Sequence, residues 1–125
     1  MKPLRLFSLF LLSAVLLGAA GCKKAAVQAD ATQPLQESFQ AAEPEVQQVI
    51  QAVNTSLKAG DYAEATKALE PVVTQRVLTE PQKEAVGVAL QQINQAIAAN
   101  PALDTKEMYE LRARMFQATR RGSRF

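Results

Sequence analysis

The chain's one cysteine, Cys22, and its lack of any histidine limit the chemistry it can carry. Without His there is no Ser-His-Asp triad, no Cys-His dyad and no His-ligated metal. A single Cys forms neither an intramolecular disulfide nor a Cys-rich zinc site. Two carboxylate pairs, Glu43/Glu45 and Glu107/Glu110, are of the residue type that general acid–base catalysis needs. Their positions have a plainer explanation: Glu43 and Glu45 flank Pro44 at a helix start, and Glu107 falls in a first turn, where negative charge complements the helix dipole. Ser56, Ser123 and the threonines have no identifiable base, and there is no Gly-rich phosphate loop, Glu-x-x-His or Gly-x-Ser-x-Gly. The sequence predicts a protein that is not an enzyme and has no cofactor, no metal and no identified small-molecule substrate.

Charge narrows the partners. Lys2 and Arg5 belong to an N-terminal stretch without acidic residues; setting them aside leaves 12 basic groups against 12 acidic ones. Near neutrality argues against nucleic acid as a partner. The charge is nonetheless uneven, with six basic and two acidic residues between positions 106 and 125. Arg112, Arg114, Arg120, Arg121 and Arg124 make a local positive patch suited to anionic lipid headgroups or an acidic partner. The same arginines also suit a solvated helix end followed by a frayed terminus.

The elements that must position these residues begin with a short positive region, residues 1–5. An apolar run follows at residues 6–17 (LFSLFLLSAVLL), and then small residues, Gly18-Ala19-Ala20-Gly21. A run of 12 is too short to cross about 30 Å of hydrocarbon as a helix, yet it suits the core of a signal peptide. Gly18-Ala19-Ala20-Gly21-Cys22 resembles the lipobox of bacterial lipoproteins. Ala20 and Gly21 match the small residues before the Cys, while Ala19 stands where Leu is usual. The resemblance implies cleavage between Gly21 and Cys22, a diacylglycerol on the Cys22 thiol, and a membrane lipid anchor. Lys23 after the Cys is similar to the pattern sorted to the outer membrane, facing the periplasm. The alternative is ordinary signal cleavage, after Ala20 or Ala29, leaving a soluble periplasmic protein.

Residues 22–43 follow the signal peptide of residues 1–21. Beyond Cys22 they are rich in Ala and Gln with Pro34 (KKAAVQADATQPLQESFQAAE), and are expected to form a flexible tether. Were they helical, Leu35 and Phe39, four apart, would make one apolar turn.

Residues 44–125 read as a helical domain with a basic C-terminal tail. Val46, Val49, Ile50, Val53 and Leu57 form one helical stripe, with Gln47, Gln48, Gln51 and Asn54 off it. Pro44 suits the first position and Gly60 the residue just past the end. Asp61 and Glu64 form a possible capping box for a second helix with Tyr62, Ala65, Leu69, Val72 and Val73 on its apolar face; Pro71 predicts a kink or an early end. Thr79 and Gln82 start a third helix, carrying Val86, Ala89, Leu90, Ile93, Ala96 and Ile97 and stopping at Asn100-Pro101. Gly87 within it suggests a close helix approach. Asp104 and Glu107 would cap a fourth, with Met108, Leu111, Met115 and Phe116 facing the core. Tyr62, Tyr109 and Phe116 are all expected in the core.

The pattern predicts an all-α fold, a small antiparallel bundle of about four helices made of two packed hairpins. Leu57 to Ala65 (LKAGDYAEA) resembles the inter-helix turn of a tetratricopeptide repeat, with Gly60, Tyr62 and Ala65 in the places of its Gly, aromatic and small residue. The resemblance implies a TPR-like first hairpin. No 34-residue echo follows, so no superhelix is expected. Two functions fit: a membrane-anchored, non-catalytic interaction or scaffold module for an envelope protein, or an envelope-structural lipoprotein whose Arg-rich end contacts membrane or cell wall. Candidate interaction residues are Tyr62, Arg112, Arg114, Arg120 and Arg121.

Overall fold

The computed structural model describes residues 28–121; the expected signal peptide with Gly21, the expected lipidation position Cys22, the start of the expected tether and Arg124 lie outside the described residues. Every regular element within that range is helical: α1 (Thr32–Ser38), α2 (Pro44–Ala59), α3 (Tyr62–Thr74), α4 (Glu80–Ala99), a 3-10 turn (Pro101–Leu103) and α5 (Lys106–Arg120). The all-α class is as expected. The helix count is not, because α1 lies in the stretch expected to be a tether. From residue 28 to 43 that stretch belongs to the folded body. Seven residues are too few to hold a helix by propensity alone. Tertiary burial holds this one: Ala31, Leu35 and Phe39, spaced four apart, are 0%, 0% and 2% exposed. Pro34 is tolerated in its first turn, where backbone N–H groups have no intrahelical partner.

The helix ends follow local chemistry. Pro44 opens α2, and Gly60 closes it in the left-handed conformation at φ 77°, which a side chain would strain. Asp61 accepts from the Glu64 N–H at 3.2 Å. Thr79 and Gln82 form the complete capping box of α4, each side chain accepting from the other's backbone N–H. The cap of α5 is Thr105, which accepts from the Met108 N–H, rather than Asp104, which is engaged by Arg112. Nor does Pro71 stop α3, which continues to Thr74.

Pairings between helices fix the topology. Ala29 and Ala31 meet Gln95 and Gln92, while Ser38 meets Gln82, so α1 runs antiparallel to α4. Lys67 pairs with Glu107 and Glu70 with Arg114, so α3 and α5 run in the same direction. The resulting ring runs α1, α2, α3, α5, α4 and back to α1. Of the two packed hairpins expected, α2 and α3 form the first, but α5 lies chiefly on α3 rather than on α4, and α1 bridges α2 and α4.

One core fills the ring. Ile50, Leu69, Leu90, Ile93 and Leu111 are all buried, as their stripes require, together with Met108 and Met115. Asn54, expected off the α2 stripe, is buried at 8% exposure, and Gln92 of α4 at 7%. Both turn toward α1, whose backbone they bond. Phe116 and Tyr109, expected in the core, are 52% and 65% exposed. The stripe of α5 needs only Met108, Leu111 and Met115 to meet α3, and the neighbouring positions face outward.

Candidate functional site

Two arginines of the cluster are internal wiring. Arg112, with a side chain 18% exposed, donates to Asp104 Oδ1 and Asn94 Oδ1, each at 2.6 Å, tying α5 to α4 and to the connection between them. Arg114 donates to Glu70 of α3 at 2.7 Å. These two guanidinium groups are committed to charge-assisted bonds and are poor candidates for a partner. Arg120 is different: its guanidinium lies 5.3 Å from the centroid of the Phe116 ring, and no ion pair neutralises it among the described residues. Arg121 follows it, exposed and likewise unpaired among the described residues. Of the five arginines that the sequence groups, the structure separates the four described ones into two structural and two accessible.

The acidic pairs are dispersed too. Glu43 accepts from Arg76 at 3.1 Å, Glu107 pairs with Lys67 and Glu110 with Lys106. No group of three or more side chains that could hold a metal occurs among the described residues. No described helix is long and apolar enough to cross a membrane. Tyr62 is half-buried against the core beside the Gly60 turn, so it supports the hairpin more than it presents a surface.

Two grooves remain. One, of about 560 Å³, lies between α4 and α5 and is lined by Gly87, Leu90, Asn94, Ala98, Phe116 and Thr119 among others. Gly87 does not mediate close helix packing: a Cβ built there would meet nothing within 4 Å. It widens the groove instead. Phe116 lines this groove together with Leu90, Ala98 and the amides of Gln91, Asn94 and Gln95, and Arg120 lies against the Phe116 ring, so an exposed ring and a cation without an ion pair among the described residues stand beside it.

The second groove, of about 310 Å³, lies between α1 and α2. Gln36, Gln40, Gln47, Gln51, Asn54, Thr55 and Lys58 supply its polar lining over Phe39 and Ile50. Asn54 Nδ2 donates to the Thr32 carbonyl at 2.9 Å, which fixes the amide's orientation and leaves Oδ1 buried without a hydrogen-bond partner among the described residues. A buried acceptor left unmatched costs about 1–3 kcal/mol. At the same end, Asp30 accepts from the hydroxyl and backbone N–H of Thr32 at 2.7 and 3.0 Å; these bonds, with a smaller contribution from Lys58, hold its carboxyl below the usual range.

Neither groove was anticipated. A sequence does not reveal which polar residues of an outward face end up between two helices, least of all where one of them, α1, lies in a stretch that reads as a tether. Comparison of the chain with protein-family models, with curated proteins and with solved structures found no match in any of the three. Function is therefore read from the chain's own surfaces.

Proposed function

We propose that this five-helix bundle is a membrane-anchored envelope lipoprotein acting as a non-catalytic interaction or scaffold module. Cys22 is its lipid anchor, on the lipobox resemblance of residues 18–22, and Lys23 favours the outer membrane facing the periplasm. The α2–α3 hairpin, with Gly60, Tyr62 and Ala65 at its turn, is consistent with a TPR-like element. The observation that carries the binding function is Arg120 stacked over the half-exposed Phe116 at the edge of the α4–α5 groove. Aromatic residues, Phe among them, and arginine are enriched in the cores of protein interfaces. Their chemistry selects an envelope protein that presents an apolar ridge flanked by a carboxylate.

The second reading, contact of the Arg-rich end with membrane or cell wall, draws on the same unpaired Arg120 and Arg121. Both readings predict that reversing them together, Arg120→Glu with Arg121→Glu, abolishes a salt-dependent association while the circular dichroism is unchanged. Filling the groove by Gly87→Leu separates them. It blocks a protein partner and leaves binding to anionic vesicles or isolated cell wall intact. Equal association of wild type and the double reversal would refute both.

A further inference from the structure

We infer that the end of the bundle where the α3–α4 connection meets the last turn of α5 docks on an anionic phospholipid surface, with Val77 as its apolar point. Val77 is 99% exposed, more than any other large hydrophobic side chain among the described residues. Its neighbour Leu78 is buried in the core, so the connection is fixed while Val77 stands out from it. Beside Val77 lies a hollow of about 340 Å³ lined by Arg76 of the connection, Lys83 of α4 and Arg121 after α5, with no carboxylate among the lining residues. Arg76 and Lys83 each have one carboxylate partner, Glu43 at 3.1 Å and Glu80 at 2.8 Å, and neither acid lines the hollow. One such contact leaves most of a guanidinium's donors unused. Cations from three elements thus line one space, and a phosphate group is its complement.

The exposure of Val77 selects the occupant. A side chain so exposed has no walls about it, and its burial requires a surface that yields around it. The headgroup layer of a bilayer does so, admitting an apolar side chain to the acyl boundary while its phosphates meet Lys and Arg. Arg120, one position before Arg121, adds a fourth cation to this end, against the two carboxylates of Glu43 and Glu80. The chain is also long enough. Ala29 is held at Gln95, twelve residues along α4 from Lys83, or about 18 Å of helix axis. The seven residues from Cys22 to Ala29 span at most about 25 Å. An acyl group on Cys22 and the side chain of Val77 can therefore meet one bilayer. This docking deepens the membrane-contact reading proposed above, on which it rests, by adding the α3–α4 connection to the arginines of α5.

The test uses the chain from residue 22 onward with Cys22→Ala, so that no acyl group contributes. Val77→Cys then places the only thiol at the apex, where an environment-sensitive fluorophore reports insertion. With vesicles of phosphatidylglycerol and phosphatidylcholine in equal parts the label should shift to the blue, and the same label at Gln48→Cys, on the exposed side of α2, should not. The unlabelled Cys22→Ala chain should bind these vesicles about tenfold more tightly than phosphatidylcholine alone. Val77→Ser should weaken that binding about fivefold, with the circular dichroism unchanged. Arg120→Glu with Arg121→Glu separates this site from the broader reading. If that reversal abolishes vesicle binding and Val77→Ser leaves it intact, the arginine contact stands and the docking at Val77 is overturned. No preference for anionic vesicles, or an unshifted label at Val77, would overturn it too. So would the full shift appearing without vesicles, in inorganic phosphate or in soluble polyglutamate, which would assign the hollow to a free anion or to an acidic protein.

Discussion

Gln92 of α4 accepts the backbone N–H of Ala31 at 2.9 Å, joining residues 61 positions apart. Gln95 does the same for Ala29 at 2.8 Å, and Asn54 of α2 donates to Thr32. Three side-chain amides from two helices thus hold the chain as it enters α1. If Cys22 is the anchor, the segment that reaches the membrane leaves the bundle from this point, and the clamp fixes how the module is presented.

Removing the Gln92 amide should uncouple this entry. Gln92→Ala leaves the Ala31 N–H buried without its partner and should cost about 1–3 kcal/mol of stability. Hydrogen exchange should rise first in residues 32–38. Unchanged protection there, with lost protection in α4, would mean that α1 is not held by the clamp.

The core face of α4 is tested by a pair of neighbours. Ile93→Ala, at a residue 1% exposed, should cost roughly 2–5 kcal/mol by denaturant unfolding, whereas Gln91→Ala on the exposed side should change almost nothing. Gly87→Ala should stabilise by about 0.5–1 kcal/mol, because the glycine lies inside a helix and a Cβ there meets no neighbour.

These faces were legible in the sequence because period-3.6 stripes with Leu and Ile leave one face to bury. The start of α4 was legible for a similar reason, since Thr79 and Gln82 form a self-contained local motif. What could not be read was whatever depended on a partner far along the chain. Leu35 and Phe39 look like one isolated apolar turn until α2 and α4 are in place to cover them. Asn54 and Gln92 look like surface amides until α1 lies across them. Arg112 and Arg114 look like a free patch, because neither Asn94 nor Glu70 is near them in sequence. Phe116 reads as inward because its spacing puts it at the edge of the Met108, Leu111 and Met115 stripe, although those three already complete the buried face of α5.

Acid should loosen the entry to α1 before the core. The Asp30 carboxyl is held below the usual range by Thr32, so its folded-state pKa is lower than its unfolded value of about 3.9. A depressed carboxylate stabilises the folded form at pH above that unfolded value, and the contribution is lost as pH falls through the folded pKa. The Thr32 amide resonance should therefore titrate below pH ~3.9, and Asp30→Asn should abolish that titration. A Thr32 titration unchanged in the variant would contradict the assignment.

Anchoring has a direct mass signature. The protein purified from membranes should yield an acylated N-terminal fragment that begins at Cys22, and Cys22→Ala should release the protein from the membrane fraction. A mature start at Gly21 or Asp30 without acylation would favour the soluble periplasmic alternative.

Binding of an envelope protein in the α4–α5 groove, as proposed for the tethered module, is read out by site-specific photo-crosslinking in the intact envelope. A photoreactive phenylalanine analogue placed at Phe116 should give one discrete protein adduct, whose crosslinked peptide carries apolar residues beside an Asp or Glu. Gly87→Leu or Arg120→Glu should remove that adduct, and the same probe placed at Gln48, on the exposed side of α2, should not form it. Absence of any protein adduct at Phe116, or an adduct equally strong from Gln48, would contradict the claim.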